Sequence, residues 1–344
     1  MRQNRINNPD IIDTELIEKE LKKGVHVIVQ FDKRKYSIDQ LEILNGLCAK
    51  YDESFGVRFY GHYSDSFDCN VLINLPDIKC LYVDCLLKAD NVSVLSKLNN
   101  LKFLSIGIYE LRELDILKSD NLKSVKTLII GETFSKALDL TYLREYENLI
   151  DLRVCGHTKN IEAIGELKQL EELSLNSIRK NNSISFVNKL RELKSLSIIL
   201  GGKANILEIE SNGIENLTII QVRGFNDISN IGNFKKLKTL LIQDQIKLNE
   251  MSFNEIMPDL SDLKIINCKS LNSLRGLGNL TSLKQLRIYK TKLSFEMVID
   301  QKLPLSLGIF AFYTTKTKQD REIARKLSGM GYSDGLKHVQ ANLN

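Results

Sequence analysis

Tryptophan is absent from this 344-residue chain, and proline (4), methionine (5), histidine (4) and cysteine (6) are scarce. The four histidines, His26, His62, His157 and His338, stand in separate sections of the chain. No His-Glu-x-x-His pair, Gly-rich phosphate loop or nucleophile elbow occurs. No catalytic residue, cofactor or metal site is therefore assigned, and the chain is not expected to be an enzyme. The cysteines Cys48, Cys69, Cys80, Cys85, Cys155 and Cys268 lack the paired spacing of a disulfide framework. They read as reduced thiols filling small apolar gaps. No apolar run approaches the ~18 residues of a membrane span. Met1 to Asp10 is polar, without the apolar core of a signal peptide. The expected location is the cytoplasm, with no membrane contact. Abundant Lys, Asn and Ile beside absent Trp point to an AT-rich bacterial genome.

What is present is a repeat of 21 to 24 residues. The frame Leu98, Leu101, Leu104, Ile106 returns as Leu167, Leu170, Leu173, Leu175 and as Leu280, Leu283, Leu286, Ile288. Its third position falls at 81, 104, 128, 152, 173, 196, 217, 240, 263, 286 and 309, Leu in ten copies and Ile in the last. Two residues later every copy is apolar, from Val83 to Ala311. With 43% hydrophobic residues, chance would fill both columns with odds of roughly one in a hundred million. Each copy alternates apolar and polar residues over a few positions, as a strand does. One copy is too short to bury its own apolar face, but stacked copies bury a continuous core. Pro76, Pro258 and Pro304 share one phase, two residues before the first position of the Leu-x-x-Leu stretch. There the chain is still turning, and no ladder hydrogen bond is lost.

Leu283-Lys284-Gln285-Leu286-Arg287-Ile288 resembles the L-x-x-L-x-L core of leucine-rich repeats, and Leu271, Leu274, Leu277 and Leu280 complete the short repeat class. Ile161, Ile164, Leu167 and Leu170 do the same. The resemblance covers residues from about 55 to 313. It implies an α/β solenoid: an arc with a parallel sheet on its concave face, short helices or 3₁₀ turns on its convex face, and a cap at each end. The family's usual turn asparagine is replaced here by Leu86, Tyr109, Thr133, His157, Ile178, Gly201, Val222, Gln245, Cys268 and Thr291. Thr, Gln, Cys and His substitute for it only in part, so an irregular arc is expected, least regular from Gly201 to Gly213. His157 reads as a turn histidine.

Residues 1–54 are expected to form an N-terminal α/β cap, 55–313 the repeats and 314–344 a helical C-terminal cap. Ile11 to Lys23 has amphipathic helical spacing, and Val25 to Phe31 alternates as a strand. Ser37 and Gln40 form a capping-box pair. It opens a helix with Ile38, Leu41, Leu44, Leu47, Cys48 and Tyr51 on one face. Thr317 to Ser328 reads as a helix stopped by Gly329.

Alternate side chains of a strand point to opposite faces. Residues flanking the inward Leu therefore line the binding face. The early copies contribute Arg58, Tyr60, Tyr82, Asp84 and Phe103, and the middle ones Asp151, Arg153, Glu172 and Asn176. The late copies contribute Asp262, Lys264, Arg287, Tyr289, Phe310 and Phe312, the last two being alternatively covered by the C-terminal helix. Gly107, Gly131 and Ser174 leave the middle shallow. Cys80 and Cys155 share this face three strands apart, roughly 14 Å, too far for one metal ion. Basic Arg58, Arg153, Lys264 and Arg287 are balanced by acidic Asp84, Asp151, Glu172 and Asp262. Nucleic acid needs a concentrated positive track, so it is not an expected partner. Lys316, Lys318, Arg321, Arg325 and Lys326 instead gather in the C-terminal helix, as a solvated face or a patch for an acidic partner. Tyr and Arg at the ends of the face suit a protein partner, and the central charges would set its orientation. The expected function is non-catalytic protein binding. Bacterial relatives of this type imply an immunity-type inhibitor of a toxin, or alternatively a secreted effector or intracellular adaptor.

Overall fold

The computed structural model describes residues 2–33, 36–61, 65–210 and 213–335. His62 and His338 lie outside them. The chain divides into two compact units, 1–170 and 171–344, described in turn.

In the first unit the main sheet is parallel. Its strands are Gln3–Asn7, His26–Phe31, Phe55–Gly61, Cys80–Leu86, Phe103–Ile108, Thr127–Ile130 and Asp151–Cys155, each paired with the next. The register places Val57, Leu81, Leu104, Leu128 and Leu152 in one row. Phe59, Val83, Ile106, Ile130 and Val154 form the next row, and all ten side chains are buried. Burying each such side chain is worth about 1.5–3 kcal/mol. The chain returns between strands through short 3₁₀ turns such as Val92–Lys97, Leu140–Glu145 and Ile161–Glu166. A 3₁₀ turn aligns residues three apart. That is why Val92 with Leu95, Leu140 with Leu143 and Ile161 with Ile164 all point inward. Tyr146 is fully buried, and its hydroxyl donates to the Leu117 carbonyl at 2.8 Å.

The N-terminal segment extends this sheet. Asp13 caps the helix Thr14–Lys22, accepting from the Leu16 amide at 2.9 Å. The Ser37–Gln40 capping box closes in both directions at the start of helix Ile38–Lys50. Leu41, Leu44, Leu47 and Cys48 are buried as expected, but Ile38 is 61% exposed and Tyr51 is the C-cap. Ile38 opens the helix at a rotation that turns it to solvent. Two further features depart from the sequence reading. Gln3–Asn7 is a strand despite its polar composition, held by backbone pairing to His26–Phe31. The strand His26–Phe31 is also buried on both faces, since Ile28 and Gln30 are covered along with Val27, Val29 and Phe31.

In the second unit the strands are Glu172–Asn176, Ser195–Ile199, Asn216–Ile220, Thr239–Gln243, Asp262–Ile266, Gln285–Tyr289 and Ile309–Tyr313, again parallel and consecutive. Leu173, Leu196, Leu217, Leu240, Leu263 and Leu286 share a buried row. The last copy corrects the frame: Phe310, not Ile309, pairs with Leu286, and Phe312 pairs with Ile288. A one-residue shift exchanges the two faces of a strand. Phe310 and Phe312 therefore enter the core, and Phe312 meets the ring of Phe295 at 5.6 Å. The two frames imply repeats of 23 and 24 residues, both within the sequence range, so spacing alone did not separate them. The first position of the Leu-x-x-Leu stretch accordingly moves to buried Leu307, and Pro304 stands three residues before it.

Strand exits in this unit repeat one backbone conformation. Ser177, Leu200, Gln221, Asp244, Asn267 and Lys290 each follow a strand and each have left-handed φ, between 52° and 60°. The copy from Leu196 to Leu217 is one of the two shortest and has no helical turn among its described residues. Gly201 there has φ +82°, and a Cβ on it would lie 2.3 Å from the Ile178 carbonyl oxygen. The helix Thr317–Gly329 follows the last strand and buries Ile323 and Leu327. Ser333 then bridges to Ile309 as a further sheet partner.

The replaced turn asparagines leave a working ladder in part. His157 Nε2 lies 3.0 Å from the Gly131 carbonyl oxygen. Gln245 donates to the Ile219 and Gln243 carbonyls at 3.2 and 2.6 Å. The Cys268 thiol reaches the Ile242 and Ile266 carbonyls at 3.6 and 3.5 Å. All three side chains are buried, so they satisfy backbone groups that water does not reach. At the second copy the ladder slips. An irregularity in the strand Cys80–Leu86 pairs Leu86 with Ile108, and Tyr109 turns outward.

Candidate functional site

On the open face of the 1–170 sheet the predicted residues are brought together. Arg58 Nε donates to Asp84 Oδ1 at 2.6 Å, and its Nη1 donates to Gln30 Oε1 at 3.3 Å. The guanidinium also lies over the Tyr60 ring, 4.5 Å from its centroid, a favourable cation–π position. Ser105 donates to the other Asp84 oxygen at 2.8 Å. Gln30 donates to Asn7 and, at 3.3 Å, to the Tyr60 hydroxyl. The network crosses five neighbouring strands. Burial works against the Arg58 charge, but the bond to Asp84, the Asp84 charge and Cys85 together outweigh it, holding the guanidinium above its ordinary pKa. Tyr82 and Phe103 form a second cluster, ring centroids 4.6 Å apart. Burial, with Cys80 beside it, pushes the Tyr82 hydroxyl up. Asp151 and Arg153 pair with each other at 3.0 Å, with Arg153 largely exposed.

Gly107 and Gly131 have a different role from the shallow floor expected of them. A Cβ on Gly131 would stand 2.7 Å from the Gly107 Cα. These glycines allow two backbones to approach. Cys80 is buried and Cys155 half-buried on the same face. Burial raises the thiol pKa of Cys48, Cys69 and Cys80 to about 12 and that of Cys268 to about 11, so these sulfurs stay protonated and unreactive.

The open face of the second unit is plainer. Glu172 is exposed and Asn176 half-exposed. Ser195, Ser197, Thr218 and Thr239 follow, with Ile199 and Ile220 half-exposed between them. Asp262 holds both Lys264 at 2.9 Å and Arg287 at 3.2 Å. Arg287 is also tied to the C-terminal segment, since its Nε donates to the Gly335 carbonyl at 3.0 Å. Tyr289 lies beside Tyr313 in the sheet register, at a cleft under the C-terminal helix.

Every basic residue predicted on the two faces thus has a carboxylate partner: Arg58 with Asp84, Arg153 with Asp151, and Lys264 and Arg287 with Asp262. Asp262 serves two of these cations, and Glu172 forms no ion pair among the described residues. The sequence reading placed Ser105 on this face and missed Asn7 and Gln30 in the network. Gln30, a polar residue within an apolar strand, was the available signal. It also missed an exposed ring pair on the strand-exit loops, Tyr109 and Phe134, 5.9 Å apart with Phe134 73% exposed. Among the described residues no group of three His, Cys, Asp or Glu side chains could hold a metal ion. No helix among them is long and apolar enough to cross a membrane.

No protein-family model and no curated protein sequence matches the chain. Among solved structures it is similar to an internalin (InlF) from Listeria monocytogenes, at 19% identity and TM-score 0.50. The alignment covers 83% of this chain and 86% of that one. The functional domain of InlJ from the same species, described as including a cysteine ladder, aligns at 13% identity and TM-score 0.40, over 84% of this chain and 68% of that one. A leucine-rich repeat protein of Leptospira interrogans aligns at 14% identity and TM-score 0.33, over 75% and 90%. The first likeness concerns the fold, and it agrees with the repeat register: this is an α/β leucine-rich repeat solenoid.

Proposed function

We propose that this chain is a non-catalytic protein-binding module, an immunity-type inhibitor that neutralises a bacterial toxin in the cytoplasm. The observation that carries the reading is the network around Arg58. Five strands hold Asn7, Gln30, Tyr60, Arg58, Asp84 and Ser105 in one arrangement, Gln30 and Ser105 being its buried members, with the rings of Tyr82 and Phe103 packed at a tilt beside it. Rigid, pre-paired polar groups beside large rings are the material of interface hot spots. Such groups bind with little loss of side-chain freedom. The paired charges of both faces favour a partner recognised by shape and local polarity over a polyanion.

The test is co-expression. The chain is produced together with the product of the gene immediately upstream, and growth is measured. Rescue of growth by the wild type, lost with Tyr82→Ala plus Phe103→Ala, supports the inhibitor. An upstream product that is harmless alone overturns the toxin assignment. Export of the chain by a secretion machine would favour the effector reading instead.

A further inference from the structure

The strongest unassigned feature is a cleft of about 710 Å³ between the last strands of the second unit and its C-terminal helix. Tyr289 and Tyr313 form one wall, and Thr317, Arg321, Ala324, Arg325 and Ser328 of the helix form the other. Arg321 and Arg325 are one helical turn apart, so both project from the same side. The opposite side carries Ile323 and Leu327 into the core.

The charges here are arranged differently from those on the sheet. There, every predicted basic side chain has a carboxylate partner. Here, neither Arg321 nor Arg325 forms an ion pair among the described residues; the helix's own pair joins Lys326 to Glu322. The cleft contains one carboxylate, Asp320, and it is already engaged. Its oxygens accept from the Thr314 amide and hydroxyl, both at 2.7 Å, and from the Thr315 amide at 3.1 Å. The Tyr313 hydroxyl is likewise committed, to Asp334. Two guanidiniums therefore face one occupied carboxylate, with exposed Lys316 and Lys318 nearby.

We infer that this cleft receives an acidic segment of a protein partner, its Asp or Glu side chains paired with Arg321 and Arg325 and its backbone laid against Tyr289 and Tyr313. Guanidinium forks match carboxylates in two-point geometry. The volume lies in the range of pockets that enclose a small ligand, which suits a few residues of a loop. Arg321 and Arg325 stand one helical turn apart, so two separate carboxylates can meet them one to one. Residues 336–344 contain no Asp or Glu, so that segment supplies no such side chain. The inference rests on the reading that the second unit meets a protein, and it names what that protein presents here.

The probe is a fluorescein-labelled hexaglutamate peptide titrated into the full chain and followed by anisotropy, with hexalysine as control. Hexaglutamate should bind and hexalysine should not. Raising the salt to about 0.5 M should weaken the binding, because exposed ion pairs are screened. Arg321→Ala with Arg325→Ala should weaken it about tenfold, and Arg321→Lys with Arg325→Lys should restore part of the loss. Both arginines are exposed, and unchanged thermal melts would show the fold intact. Equal hexaglutamate binding by the Ala double variant overturns the inference. So does inorganic phosphate binding as tightly as the peptide, which would assign the cleft to a small anion. Either failure leaves the growth-rescue result, and the inhibitor reading it tests, untouched.

Discussion

The two units repeat one backbone scheme and finish it with two different surfaces. On 1–170 the open face carries long polar and aromatic side chains that fix one another: Arg58 between Asp84, Gln30 and Tyr60, and Tyr82 against Phe103. On 171–344 the central strands present Ser174, Ser197, Thr218 and Thr239, short side chains with little to lock. The buried rows beneath are alike, Leu under Leu in both units. The apolar columns therefore specify the path of the chain, and the outward columns vary without disturbing it. One surface is held by its own contacts before any partner arrives, and the central strands of the other keep their side-chain freedom.

If the difference lies only in the faces, core substitutions should be equally severe in both units. Tyr146→Ala and Phe234→Ala, each at a fully buried ring, should each destabilise by about 3–5 kcal/mol, measured by urea unfolding followed by circular dichroism. A large inequality would place the difference in the core instead. Next in size is the locked network. Arg58→Ala leaves Asp84 partly buried without its cation and should destabilise by about 2–3 kcal/mol. Lys264→Ala removes one of two cations from Asp262 in a more open setting and should change stability by less than about 0.5 kcal/mol. Equal values would mean the first face is no more fixed than the second. Gly131→Ala forces apart two strands that touch through Gly107 and should destabilise by about 1–3 kcal/mol. At the corresponding plain position of the other face, Ser197→Ala should stay within about 0.5 kcal/mol.

The smallest effect is a slope with pH. Burial holds His157 below its ordinary pKa of 6.5, and does the same to His26. As pH falls below 6.5 the unfolded chain takes up these protons before the folded one, so stability declines. The corresponding ladder residues of the second unit, Gln245 and Cys268, do not take up protons in that range. The urea midpoint should fall between pH 7 and pH 5, and His157→Gln should flatten that fall. An unchanged slope in the variant would remove His157 as its source.

Most of the fold was legible because it is written many times over. One Leu column with one apolar column two residues on carries a strand per copy, and repetition corrects local ambiguity. The misreadings fall where repetition stops. At the last copy nothing follows to fix the phase, so Ile309 took the place of Phe310. At the start, Gln3–Asn7 has no apolar alternation and becomes a strand through backbone pairing alone. The candidate surface was legible as a set of positions, because alternation names the outward residues. Its internal bonding was not. The partners Asn7 and Gln30 lie outside the repeats, and the hold of Gly335 on Arg287 joins residues 48 apart in sequence.

The left-handed residue after each of the first six sheet strands of the second unit has a consequence for how such a chain changes over generations. The turn demands a backbone angle and tolerates Ser, Leu, Gln, Asp, Asn and Lys in six successive copies, although most side chains resist that angle. The six sites form a row along one rim. Random substitution there can alter size, charge and polarity one copy at a time while the path of the main chain stays constant. A lineage pursuing a changing opponent would find at this rim a set of letters it could rewrite without endangering the scaffold.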